Sequence, residues 1–112
     1  MSEFTELIDL LEKFRDERDW SQFHDSKNLA LALSIEAAEL NELFLWKKDA
    51  QCEEVDKQRL KEELADVFAY ALMLAARHGL DVSQIVKDKI DLNAQKYPVE
   101  ESRGSSAKYK KP

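Results

Sequence analysis

Phe4, Leu7, Ile8, Leu11 and Phe14 recur at three- and four-residue intervals, the spacing that gathers apolar side chains on one side of an α-helix. The pattern predicts a first helix over about Glu3 to Arg18. The period is lost in Asp19-Trp20-Ser21-Gln22-Phe23-His24-Asp25, which reads as a loop. Asp25 or Ser26 is placed to cap a second helix that runs to about Trp46. A polar stretch from Lys47 to about Glu54 leads into a third helix. That helix ends near His78, because Gly79 suits the left-handed C-cap. Asp81 with Gln84 has the spacing of a capping box and opens a fourth helix, which ends before Pro98.

Within the second helix the pattern has an irregularity. Leu29, Leu33, Leu40 and Leu43 all lie within about 60° of Glu36 at roughly 100° per residue. Glu36 therefore sits in the middle of an apolar face, and Glu39 lies about 60° to one side, one turn along. The third helix repeats the arrangement. Leu60, Val67, Tyr70 and Leu74 flank Glu63 within about 60°, with Asp66 three residues further. A buried, unpaired carboxylate costs several kcal/mol or takes up a proton. Two such pairs facing one interior would raise one another's pKa. A divalent cation with oxygen ligands, Mg²⁺ or Mn²⁺, resolves that conflict. Interhelical ion pairs with Lys27, Arg59 or Lys61 are the competing resolution. A di-iron bundle needs Glu-x-x-His pairs, and neither His24 nor His78 follows a glutamate at that spacing.

The second half of the third helix, Val67 to Ala76, is apolar on every side. Such a helix is buried all round, which four short helices cannot achieve alone. A second subunit is expected over the remaining face.

Composition narrows the class. Two glycines and two prolines in 112 residues are too few for a chain of many tight turns, and favour a few long helices. An apolar content of 44% supports one domain core. A net charge of -6 argues against binding a nucleic acid polymer, where basic patches supply the affinity. Cys52 is the only cysteine, so neither an intrachain disulfide nor a cysteine-rich zinc site is available. No apolar run approaches the roughly 20 residues that span a bilayer, and the amino terminus lacks a basic-then-apolar signal pattern. A soluble cytoplasmic protein is the expectation. Residues 99–112 turn polar and end in Lys108, Lys110 and Lys111. They read as a flexible tail after a helical domain over residues 1–98, or as a flap over an anionic ligand.

Other residues could serve a ligand. Lys89, Asn93 and Tyr97 recur every four residues on the fourth helix. Lysine offers a point charge to phosphate, and Asn and Tyr offer hydrogen bonds. Lys96 is a further candidate. Trp20, Phe23, His24 and Trp46 can enclose a base by stacking, with Asn28 as a weaker candidate. No glycine-rich phosphate loop exists, since the only glycines are Gly79 and Gly104.

Taken together, Glu36-x-x-Glu39, Glu63-x-x-Asp66 and the segments RDWSQFHDSKNLALALSIEAAELNELFLW, EELADVFAYALMLA and KIDLNAQKYPVEESRGSSAKY resemble the MazG-type nucleoside triphosphate pyrophosphohydrolases, most closely their dCTP pyrophosphatase branch. The resemblance implies an all-α, four-helix-bundle-like enzyme assembled as a homo-oligomer, commonly a tetramer. It implies Mg²⁺-dependent hydrolysis of a dNTP to dNMP and pyrophosphate. Glu36, Glu39, Glu63 and Asp66 would then hold metal and serve catalysis. Trp20, His24 and Trp46 would contact the nucleoside, and Lys89, Asn93 and Tyr97 the substrate. Two other readings stay open: a metal- or nucleotide-binding module without turnover, and a structural helical interaction protein.

Overall fold

A computed structural model describes residues 2–109. The chain divides into two compact units between Leu80 and Asp81. The first unit holds α1 (Glu3–Glu17), α2 (Ser26–Glu42) and α3 (Lys57–Arg77), with short 3-10 turns at Ser21–Phe23 and Asp49–Glu53. The second holds α4 (Val82–Lys96) and the single turn α5 (Val99–Ser102). The architecture is all-helical, with no strand among the described residues.

Each long helix starts on a side-chain cap. Ser2 Oγ accepts from the Thr5 amide at 3.1 Å. Asp25 accepts from the Asn28 amide at 2.8 Å, Asp56 from Gln58 at 2.9 Å, and Asp81 from Gln84 at 3.1 Å. Each cap satisfies an amide that the helix leaves unpaired, worth about 1 kcal/mol. The third helix therefore begins after Asp56, not near Glu54. The second ends at Glu42, because the following residues form a turn that leaves Trp46 at φ 67°. At Asp81 only half of the capping box forms. The Gln84 amide group donates instead to Asp88 at 2.8 Å, one helical turn ahead and within easy reach.

The third helix stops as its glycine predicts. Gly79 takes φ 64°. Its amide donates to Ala76 O at 3.1 Å, and the Leu80 amide donates to Ala75 O at 2.9 Å, the paired bonds of a Schellman turn. A residue with a Cβ resists that φ.

α3 packs against both α2 and α1. The buried apolar residues are few: Leu29, Leu43, Val55, Leu72, Met73 and Ala75. The all-round burial expected for α3 is absent in the single chain, where Phe68 stays 62% exposed. Leu31 and Ile35 on α2 are exposed as well. The segment after Pro98, expected as a polar tail, carries α5 and brings Tyr109 edge-on to Tyr97, ring centroids 5.5 Å apart. Lys110 and Lys111, part of that expected tail, lie outside the described residues.

Candidate active site

The contact between α2 and α3 brings the two acidic motifs together. Glu36, Glu39 and Glu63 each place a carboxylate oxygen within 4.8 Å of the others. Glu36 and Glu63 are half-buried, whereas Glu39 is exposed. Two of the oxygens, Glu36 Oε2 and Glu63 Oε2, are shut off from solvent and have no hydrogen-bond partner. Among the described residues, the ion pairs join Arg15 to Glu12 and to Asp16. Lys27, Arg59 and Lys61 thus form no ion pair with the acids.

The electrostatic cost shows in the proton affinities. Burial, then the neighbouring Glu39 carboxyl and the charges of Asp66 and Glu63, push the Glu36 carboxyl up to about 7. Burial also raises Glu63, helped by Glu39 and Asp66 and opposed by Arg59. Orphaned, mutually repelling carboxylate oxygens at this spacing are a donor set that fits a hard divalent cation.

Asp66 is not one of the three clustered carboxylates. It lies near enough for its charge to raise Glu36 and Glu63, and it lines a cavity of about 140 Å³. Trp20, His24, Phe14, Arg15 and Tyr70 also face that cavity. Phe14 and Trp20 meet edge to face with centroids 5.8 Å apart, as do His24 and Tyr70 at 6.3 Å. His24 Nδ1 is buried without a partner. Burial, and secondarily the Arg15 charge, hold the imidazole below its ordinary pKa, which favours the neutral ring at pH 7. Its backbone is tethered to α3, since Arg77 Nη1 donates to His24 O at 3.2 Å.

Of the residues expected to contact a nucleoside, Trp20 and His24 share this cavity. Trp46 does not line it and is 88% exposed. Asn28 is occupied locally, its side-chain amide donating to Phe23 O at 3.2 Å. Lys89, Asn93 and Tyr97 belong to the second unit. Other cavity residues carry no site signal in the sequence: Phe14 and Tyr70 read only as apolar-face positions, and Arg15 belongs to no motif. Tyr70 is set apart only by its place two turns from Glu63 on the same face.

Residues 31–111 match the MazG-like family model. The chain belongs to the MazG-like family. It is similar to dCTP pyrophosphatase 1 of Rattus norvegicus, 48% identical over 102 residues that cover 87% of this chain and 60% of that protein. The corresponding protein of Homo sapiens is 44% identical with the same coverage. The chain thus spans about 60% of the length of the curated relatives it matches. A crystal structure of a pyrophosphatase from Archaeoglobus fulgidus superimposes with a TM-score of 0.81 at 39% identity, covering 88% of this chain and 94% of that one.

The raised carboxyl of Glu36 sets a pH dependence for the metal-free protein. Its folded pKa of about 7 lies above the ordinary 4.5, so between those values the folded state binds more protons than the unfolded one. Stability is then fully present below about pH 4.5 from this group and is lost as pH rises towards 7. Thermal melts in EDTA should show a falling melting temperature across that window, and Mg²⁺ should restore it at pH 7. A flat profile in EDTA would contradict this account of the cluster.

Proposed function

We propose that the chain hydrolyses a nucleoside triphosphate, dCTP or a base-modified dCTP, to the monophosphate and pyrophosphate. The observation that carries the reading is the cluster of Glu36, Glu39 and Glu63, with its two orphaned oxygens. The names of the similar proteins, dCTP pyrophosphatase 1, support the choice of substrate.

In this reading Glu36, Glu39 and Glu63, with Asp66 beside them, hold Mg²⁺ or Mn²⁺. The bound cation supplies charge neutralisation at the phosphates and a lowered pKa for the attacking water. Asp66 and the carboxylate oxygens left free orient that water towards the α-phosphorus. Trp20 and Tyr70 wall the base, and the neutral His24 ring offers its buried Nδ1 to a polar edge of the nucleoside. Trp46 is kept as a nucleoside contact on the family resemblance. Lys89, Asn93 and Tyr97 serve the phosphates and sugar.

The proposed working form is a cytoplasmic homotetramer, with no nucleic acid polymer or membrane as partner. A core of few buried side chains beside exposed Phe68, Leu31 and Ile35 supports assembly. No helix is long and apolar enough to cross a membrane among the described residues. The proposed division of labour is a catalytic region over residues 1–98 and a tail over 99–112.

A substrate panel tests the proposal. With Mg²⁺, dCTP should give a higher kcat/KM than dTTP, dATP, dGTP or CTP, with pyrophosphate as product. Stacking adds about 1–3 kcal/mol for any base and selects poorly, whereas an unpaired buried polar group discriminates strongly. His24→Ala should therefore blunt the preference among bases more than it weakens binding of all of them. A wild-type preference for a purine would overturn the substrate, and hydrolysis of none of the five would overturn the activity.

A further inference from the structure

We infer that the second unit carries its own anion pocket, built where the chain after Pro98 returns to the end of α4, and that this pocket binds inorganic pyrophosphate. A cavity of about 380 Å³ lies there, lined by Lys96, Tyr97, Ser102, Ser105, Lys108 and Tyr109, with Glu101 also on its wall. That volume falls within the range of small-molecule sites.

The pocket has a local structural cause. α5 is followed by a turn in which Gly104 takes φ 75°, a conformation that glycine reaches without a Cβ clash. The Ser105 amide donates to Ser102 O at 3.0 Å, and Ser105 Oγ accepts from the Ala107 amide at 3.1 Å. The return ends with Tyr109 edge-on to Tyr97 at an interplanar angle of 81°. Lys96 Nζ lies 5.1 Å from the centre of the Tyr109 ring, within the range of a cation–π contact.

The chemistry of the lining selects an anion. Neither Lys96 nor Lys108 has a carboxylate ion-pair partner among the described residues. Tyr109 orients Lys96 without cancelling its charge. Ser105 Oγ is used as an acceptor, so its own proton remains to be donated. Two ammonium groups outnumber the one carboxylate, Glu101, which disfavours a bare cation. Hydroxyl and ammonium donors on several sides match phosphate oxygens. The choice of a diphosphate among anions rests on the pyrophosphohydrolase reading above. The pocket itself rests on the second unit alone.

The test is calorimetric titration of the full chain with inorganic pyrophosphate in EDTA, where the acidic cluster has no metal through which to act. Wild type should bind. Lys96→Met and Lys108→Met should each weaken binding about tenfold, the scale of one charge-assisted contact. Lys108→Arg should recover most of the loss, and circular dichroism should report unchanged helix content. Mg²⁺ titrations should be the same in every variant. Absence of pyrophosphate binding by wild type, or equal affinity in the Lys96→Met/Lys108→Met double variant, would overturn the pocket. Release of dCMP from dCTP, measured in parallel, separates the two ideas. Lysine-dependent pyrophosphate binding without dCMP release sustains the pocket and overturns the enzyme reading. Turnover with lysine-independent pyrophosphate binding does the reverse.

Discussion

Glu36→Gln is expected to lower Mg²⁺-supported turnover at least about a thousandfold, a loss of roughly 4 kcal/mol of transition-state stabilisation. The same change should raise the melting temperature of the protein in EDTA by about 5 °C. Opposite signs are the signature of a ligand cluster. Glu36 holds a buried oxygen with no partner beside two other carboxylates, so neutralising it relieves repulsion in the metal-free state. The new amide can also donate to a neighbouring carboxylate oxygen. Glu63→Gln should behave alike, because Glu63 Oε2 is orphaned too. Glu42→Gln is the control. It replaces the last residue of α2, which is exposed and outside the cluster. Turnover in all three and isothermal calorimetry with Mg²⁺ check the prediction. Unchanged Mg²⁺ affinity in both Glu36→Gln and Glu63→Gln would remove the metal centre from the account.

Phe68→Glu should break the proposed assembly into protomers of 13.0 kDa, while wild type at micromolar concentration sediments as an oligomer. Phe68 is 62% exposed on the chain alone. It lies about 140° around α3 from Glu63, and Leu31 and Ile35 lie about 140° and 100° around α2 from Glu36. Phe68 is therefore on a different side of α3 from Glu63 and Asp66. A carboxylate placed at Phe68 would be desolvated on assembly, at a cost of several kcal/mol for each copy. Ligation of Mg²⁺ by the acids should be unaffected in the protomer, since the substitution points away from them. Sedimentation velocity and the Mg²⁺ titration are the two measurements. A wild-type protein that sediments as a monomer, or a Phe68→Glu variant that stays assembled, would refute the interface.

The carboxylate cluster shows how far one-dimensional pattern reaches. The sequence alone places Glu36 and Glu63 in the middle of apolar faces, because helical geometry is local and its angles follow from spacing. The caps at Asp25 and Asp81 and the Gly79 stop are equally local, each decided within one turn of chain. Which carboxylates converge is not local. Packing of α2 on α3 gathers Glu36, Glu39 and Glu63 and leaves Asp66 beside them, facing a cavity. Four acids at matched spacings could not reveal that difference.

The aromatic residues divide in the same way. Trp20, His24 and Trp46 carry similar chemistry in the sequence, yet only the first two line the cavity with Tyr70. Trp46 sits on a turn after α2 has ended and points into solvent on the single chain. The apolar run of the third helix is legible in the sequence, and packing of the single chain leaves Phe68 on it 62% exposed. By itself, then, the sequence determined the four long helices, the caps at Asp25 and Asp81, the Gly79 stop and the place of Glu36 and Glu63 on apolar faces, all consequences of neighbours within a few residues. Tertiary packing alone decided which of those side chains meet and which oxygens lose water without gaining a partner, because contacts between distant segments depend on how whole helices dock.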